Sequence, residues 1–177
     1  PQNPHILDKH LLCAAFEAVP KDSHLYARAQ AGLKEAIEQR DTLAAGERRA
    51  AAETLYQVVT SIKKDWVEKF GHTNPRYAAH TRYLLKRSAE FVERFPDDPR
   101  AEELRGYPQY YRNVASLDRP PTSMDISVEV EWRAQADEFN AAKAAIDAYA
   151  ALPGVPPEEA ERQRAELKTY ADAAWKV

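Results

Sequence analysis

Four short signals divide this chain into segments: Asn3-Pro4, Asn74-Pro75, Asp98-Pro99 and Val155-Pro156-Pro157-Glu158-Glu159. Each precedes a run of apolar residues at spacings of three and four. Asn and Asp accept hydrogen bonds from the free amides of a first helical turn, and proline there gives up no bond it would otherwise make. Gly71 and Gly106 follow such runs, where a helix stop in the left-handed region carries no Cβ penalty. A chain marked in this way folds into helices. The expected class is all-α: six or seven helices in a bundle or a short stack of antiparallel helical hairpins, as one domain over residues 1–177.

The segments are read as follows. A first helix spans 4–18, with Leu7, Leu11, Ala14, Ala15 and Ala18 on its apolar face, and Pro20 ends it. Asp22 or Ser23 caps a second, whose face is Tyr26, Ala29, Leu33, Ala36, Ile37 and Ala44 and which reaches Gly46. From Glu47 to Phe70 the stripe Ala51, Leu55, Val58, Val59, Ile62, Trp66 and Phe70 is unbroken, the pattern of a central helix. A fourth helix, 75–95, turns Tyr77, Thr81, Leu84, Leu85, Ser88, Phe91, Val92 and Phe95 inward; this and the preceding helix form the centre. A short helix follows at 99–105. Residues 106–124, interrupted by prolines, read as an irregular connection.

Between 125 and 152 two patterns compete. Ile126, Val128 and Val130 alternate with polar residues as in a strand. The apolar series Val128, Trp132, Gln135, Phe139, Ala142, Ile146 and Tyr149 runs too long for one, so a single helix is expected. Pro153-Gly154 closes it. The last helix, 157–175, opens on Glu158, Glu159 and Glu161, where the helix dipole favours anions, and Trp175 docks its end.

The segment from Phe91 to Ala101, Phe-Val-Glu-Arg-Phe-Pro-Asp-Asp-Pro-Arg-Ala, resembles the junction between successive hairpins in tetratricopeptide-type proteins. It covers less than a tenth of the chain, and the flanking helix pairs do not repeat its residues. The resemblance implies a binding scaffold and carries no site over.

Composition narrows the function classes. A lone cysteine, Cys13, rules out an internal disulfide and a multi-cysteine metal site, and a cytoplasmic setting is expected. No apolar run approaches the roughly 20 residues that span a bilayer, so no membrane span is expected. The five histidines form no His-x-x-x-His pair; His72 and His80 are the first pair to consider for a metal. Nucleophile and phosphate-loop motifs are absent, so neither a catalytic residue nor a cofactor is expected. The net charge of -3 hides an asymmetry: residues 63–94 hold eight Lys/Arg against four Asp/Glu, and 101–177 hold nine against fourteen. Complementary packing of a basic helix near an acidic one, or ordinary solvated faces, would account for it.

Two surfaces remain. Tyr107, Tyr110 and Tyr111, with Arg105, Arg112 and Arg119, combine the residue types over-represented at protein contacts. They point to a non-enzymatic interaction module, an adaptor, inhibitor or assembly subunit, with a protein partner; the opposing expectation is that the tyrosines plug the end of the bundle. The alternative is binding of RNA or DNA along Arg76, Arg82, Tyr83, Lys86, Arg87 and Arg94, which project to one side of the fourth helix and whose charges suit a phosphate backbone. The alanine-rich faces of the first two helices also suit pairing of two copies across a two-fold axis.

Overall fold

A computed structural model describes residues 4–114, 117 and 119–174; the expectations for Asn3 and Trp175 lie outside them. Among the described residues every regular element is helical, and no helix is long and apolar enough to cross a membrane. The chain divides into two compact units, Pro1–Thr54 and Leu55–Val177.

The first unit contains α1 (Pro4–Glu17) and the beginning of α2 (Tyr26–Ser61). The Ser23 hydroxyl accepts the Leu25 amide at 3.2 Å in the turn before α2, ahead of the helix's own first-turn amides that a cap would satisfy. The buried line of α1 differs from the expected one. Ile6 and Cys13 are inside with Lys9 and Phe16 half-buried, while Leu11, Ala14, Ala15 and Ala18 face water. The cause is a close approach: a Cβ on Gly32 of α2 would sit 2.7 Å from the Phe16 ring, so the ring rests on bare backbone and rotates α1 to that side. Lys9 adds a bond to Gln39 at 2.6 Å. The expected stop at Gly46 is absent, and α2 continues through it to Ser61.

The second unit begins within α2, whose Leu55 and Val59 are buried. The helix then widens into a π-helical turn, Ile62–Glu68. Residues five apart share a face there, so Ile62 and Val67 are buried together. Trp66 and Phe70, expected on the inward stripe, are half-buried and exposed respectively. A 3-10 turn at Gly71–Thr73 leads to α3 (Tyr77–Arg94), the centre of this unit. It packs on the π-helical turn and α4 (Arg100–Arg105) along one side and on α6 (Ser123–Gln135) along another. Between α3 and α4 the Asp98 carboxylate receives the Arg100 amide and guanidinium, each at 2.9 Å. The tetratricopeptide resemblance stops at this turn, because α4 has only six residues. The connection expected to be irregular starts with one helical turn, α5 (Tyr107–Tyr110).

The expected long helix from 125 is two helices. After α6 the chain turns at Asp137, which adopts φ 56, and α7 (Phe139–Ala150) packs back on α6. α8 (Pro157–Ala174) covers both. Ile126, Val130, Ile146 and Leu167 meet in the resulting core. The Tyr149 hydroxyl donates to Glu159, in the first turn of α8, at 2.7 Å.

Candidate functional site

Two places in the second unit bring chemistry together. The first lies over the π-helical turn. Tyr107 and Tyr111 stand one turn apart on α5 and its end, and both point inward, 6% and 5% exposed. The Tyr107 hydroxyl donates to Glu103 at 2.7 Å, and Lys63 of the π-helical turn lies 5.0 Å from its ring centre. Burial first, then that bond to a carboxylate, raise the Tyr107 phenol well above its ordinary value. Burial also raises Tyr111 to about 12, and its hydroxyl is buried without a hydrogen-bond partner. Tyr110, between them in sequence, stands 77% exposed, its ring edge-on to Tyr111 at 4.8 Å.

A groove runs along each side of Tyr110. One, about 330 Å³, is lined by Lys63, Glu68, Glu103 and the three tyrosines. The other, about 290 Å³, is lined by Val67, His72, Tyr77, Asn113 and Val114 among others. The π-helical turn supplies residues to both, because its wide geometry places Lys63 and Glu68 on the same side, 3.8 Å apart at their charged ends. Such turns are rare and recur at functional positions. Of the expected arginines, Arg112, next in sequence to Tyr111, is exposed. Arg105 is held by Glu102 and the Pro96 carbonyl, each at 2.9 Å. Arg119 is not part of it; its guanidinium binds Asp125 at the start of α6 at 2.7 Å.

The second place is the α3–α6 interface, and it corrects the expectation of an outer cationic face. Tyr83 and Arg87 are each 3% exposed. Arg87 bonds Glu90 at 2.6 Å and both oxygens of Glu138, at 2.9 and 2.6 Å. Arg76 reaches Glu131 at 2.7 Å, Lys86 grips Glu129 at 2.7 and 2.8 Å, and Arg82 meets Asp125 at 3.4 Å. Of the six, Lys86 and Arg94 are exposed, Arg94 beside the Phe95 ring. The basic helix packs on the acidic one, as the charge asymmetry suggested. Arg133, which sequence reasoning missed, ties the network together through Glu129, Glu90 and Glu138 at 2.7 to 2.8 Å. Its signal was the four-residue recurrence of Asp125, Glu129 and Arg133.

Burial pushes Asp125 and Glu138 toward the neutral form. The bonds from Arg119 and Thr122 to Asp125, and from Arg87 and Arg133 to Glu138, outweigh it and hold both below their ordinary values of 3.8 and 4.5. His80, 1% exposed, stacks on Trp66 at 4.2 Å. Its Nδ1 faces the Arg76 carbonyl at 3.0 Å, an acceptor only, so Nδ1 carries the proton. Nε2 is left buried without a partner. Burial, with the Arg76 charge, keeps this imidazole below its ordinary 6.5 against the opposing pull of the Arg76 carbonyl and Glu131. The sign of the linkage is the same for all three groups: the unfolded chain takes up the proton first, so stability is complete above the unfolded value and lost as pH falls. Two stages are expected, one starting below 6.5 from His80 and a second in the carboxylate range. Melting curves across pH check this. His80→Phe, which keeps the stack on Trp66, removes the first stage; an unchanged slope between pH 5 and 6.5 disproves its origin in His80.

Among the described residues no group of three or more His, Cys, Asp or Glu is placed to hold a metal ion; His72 is exposed and packs on Tyr77, apart from the buried stack of His80. Fold and sites together define an all-helical protein with a displayed aromatic over a π-helical turn and a buried ion-pair network at its centre. No family model, curated protein or solved structure matches the chain.

Proposed function

We propose that the protein is a non-enzymatic interaction module whose contact face is Tyr110 with the two grooves beside it, and that its partner is a protein segment laid across them. One observation carries this reading: a tyrosine 77% exposed on a base of two buried ones, with a groove on each side. A phenol held at this height offers apolar area and a polar end at little conformational cost, the property that makes tyrosine an anchor at protein contacts. Its base is ordered already, so little entropy is lost on docking. Lys63, Glu68 and Glu103 put charges of both signs in the wall of one groove. The opposing expectation, a tyrosine plug, describes Tyr107 and Tyr111 but leaves Tyr110 unexplained.

Nucleic acid along α3 is a weaker reading. Arg87, 3% exposed, and Arg76 would each have to surrender a carboxylate held at 2.6 to 2.9 Å to reach a phosphate.

Affinity capture from cells expressing the tagged chain tests the proposal. A partner protein held by the wild type is expected to be lost with Tyr110→Ala, with a change in stability within about 0.5 kcal/mol because the side chain is exposed, and kept with Arg94→Ala. Equal retention by the wild type and Tyr110→Ala ends the proposal.

A further inference from the structure

A cavity of about 350 Å³ opens between α3, α6 and α7. It exists because α7 presents Ala145 and Ala148, three residues apart on one face, where longer side chains would reach α3. Ile126, Leu152 and the rings of Tyr83 and Tyr149 complete an apolar wall; Arg82, Lys86, Asp125 and Glu129 form the charged side. Sites between bundle helices that take small molecules have this composition, mostly apolar with a few converging polar groups.

The charged groups differ in what they have left to offer. The carboxylates are deep and occupied. Asp125, its side chain 5% exposed, receives Arg119 and the amide and hydroxyl of Thr122 at 2.7 to 2.8 Å. Glu129, 7% exposed, receives Lys86 and Arg133 at 2.7 to 2.8 Å. Lys86 is 47% exposed and commits two of its three N–H donors, both to Glu129. Arg82, one turn earlier on α3, lines the same opening but is committed to the Arg119 carbonyl at 2.8 Å and to Asp125 at 3.4 Å, which leaves Lys86 to receive a ligand. An incoming cation would have to displace Lys86 or an arginine, whereas an incoming carboxylate is received on the third donor with no existing bond broken. The charge offered to a ligand is therefore positive.

We propose that this cavity binds a small amphipathic acid, one carboxylate on an apolar body of roughly eight to twelve carbons, with the carboxylate on Lys86 and the body along Ile126, Ala145, Ala148 and Leu152. The volume accommodates about a dozen water-sized groups, which sets the length. Lys86 acts as a hinged contact: it keeps Glu129 neutralised when the cavity is empty and bridges Glu129 to the ligand when it is filled.

Calorimetric titration of the full chain with decanoate tests this, with decylamine and decanol as comparison probes below their aggregation concentrations. Decanoate is expected to bind about tenfold or more tighter than either, the gain from one charge-assisted bond. Ala148→Phe fills the cavity and is expected to reduce decanoate binding at least about tenfold while the melting temperature holds or rises; Ala145→Leu makes the same test if the larger ring unfolds the helix. Lys86→Met lowers decanoate to the level of decanol and leaves decanol unchanged, with Glu129 still held by Arg133. Decylamine or decanol binding as tightly as decanoate overturns the choice of head group. Absent decanoate binding, or unchanged binding in a folded, cavity-filled variant, overturns the site.

Discussion

Arg133→Met is expected to cost about 3–5 kcal/mol, more than any surface substitution in the chain, because it strips a buried cation from three carboxylates at once. Arg133 is 7% exposed on its side chain and holds Glu129, Glu90 and Glu138 at 2.7 to 2.8 Å. Met matches its length and apolar stem, so the loss isolates the charge. Glu129 keeps Lys86, and Glu90 and Glu138 share Arg87, yet one positive charge is missing from a site that water reaches poorly. Thermal unfolding followed by circular dichroism should show a fall on the order of 10 °C. Lys86→Met serves as contrast: its ammonium is half exposed and Glu129 retains Arg133, so the loss stays below about 1 kcal/mol. The double change Arg133→Met with Glu129→Met removes a charge of each sign, and part of the stability is expected to return, since apolar replacement of a whole buried pair is often neutral. A fall below about 1 kcal/mol for Arg133→Met would show that the network is not what joins α3 to α6.

The residues of that network explain what was legible in the sequence and what was not. Helix starts could be read wherever a polar cap or proline marks them, as at Asn74, whose side-chain oxygen accepts the Arg76 amide at 2.8 Å. The break at Asp137 carries no such mark, for no glycine or proline lies between Gln135 and Phe139. What holds the turn is distant: Glu138 must stand off the helix to meet Arg87, 51 residues earlier in the chain. The same distance hid the fate of the cationic face. Lys86 to Glu129 spans 43 residues and Arg76 to Glu131 spans 55, so a projection of α3 alone could list the cations but not their neighbours. The summed charges of the two segments did carry the information, without its pairing. The tyrosine cluster was half legible for a helical reason. Tyr107 and Tyr111, four apart, share an inward face, and Tyr110 falls to the side; this became readable only once 107–110 is known to be a helical turn. The π-helical turn left no signal in apolar spacing, because the stripe Ile62, Trp66, Phe70 reads as an unbroken α-helix and the extra residue per turn is imposed by packing.

Phe91→Ala is expected to cost about 3–5 kcal/mol by a different mechanism, loss of buried volume. The ring is 0% exposed in the last turn of α3. It lies 5.9 Å from Tyr56 of α2 and 5.3 Å from Phe95, and the Arg100 guanidinium stands 5.5 Å above it. Tyr56 and Arg100 belong to two other helices, and their own constraints keep them from closing on the void: Arg100 is fixed by Asp98, and Tyr56 by Glu103 at 3.4 Å. A cavity that cannot collapse falls at the upper end of the range for large-to-small changes. Phe91→Leu retains most of the contacts and should lose less. The denaturant midpoint is the readout, with the slope unchanged if the folded state keeps its extent. Because Glu103 also receives the Tyr107 hydroxyl and Lys63, loosening this cluster should reach the base on which Tyr110 stands. A folded Phe91→Ala protein is thus expected to bind a Tyr110-dependent partner more weakly than the wild type, whereas Arg133→Met, acting at the α3–α6 interface, should leave that contact unchanged while it remains folded. Equal loss of partner binding in both folded variants would show that contact at Tyr110 follows overall stability and not the local aromatic base.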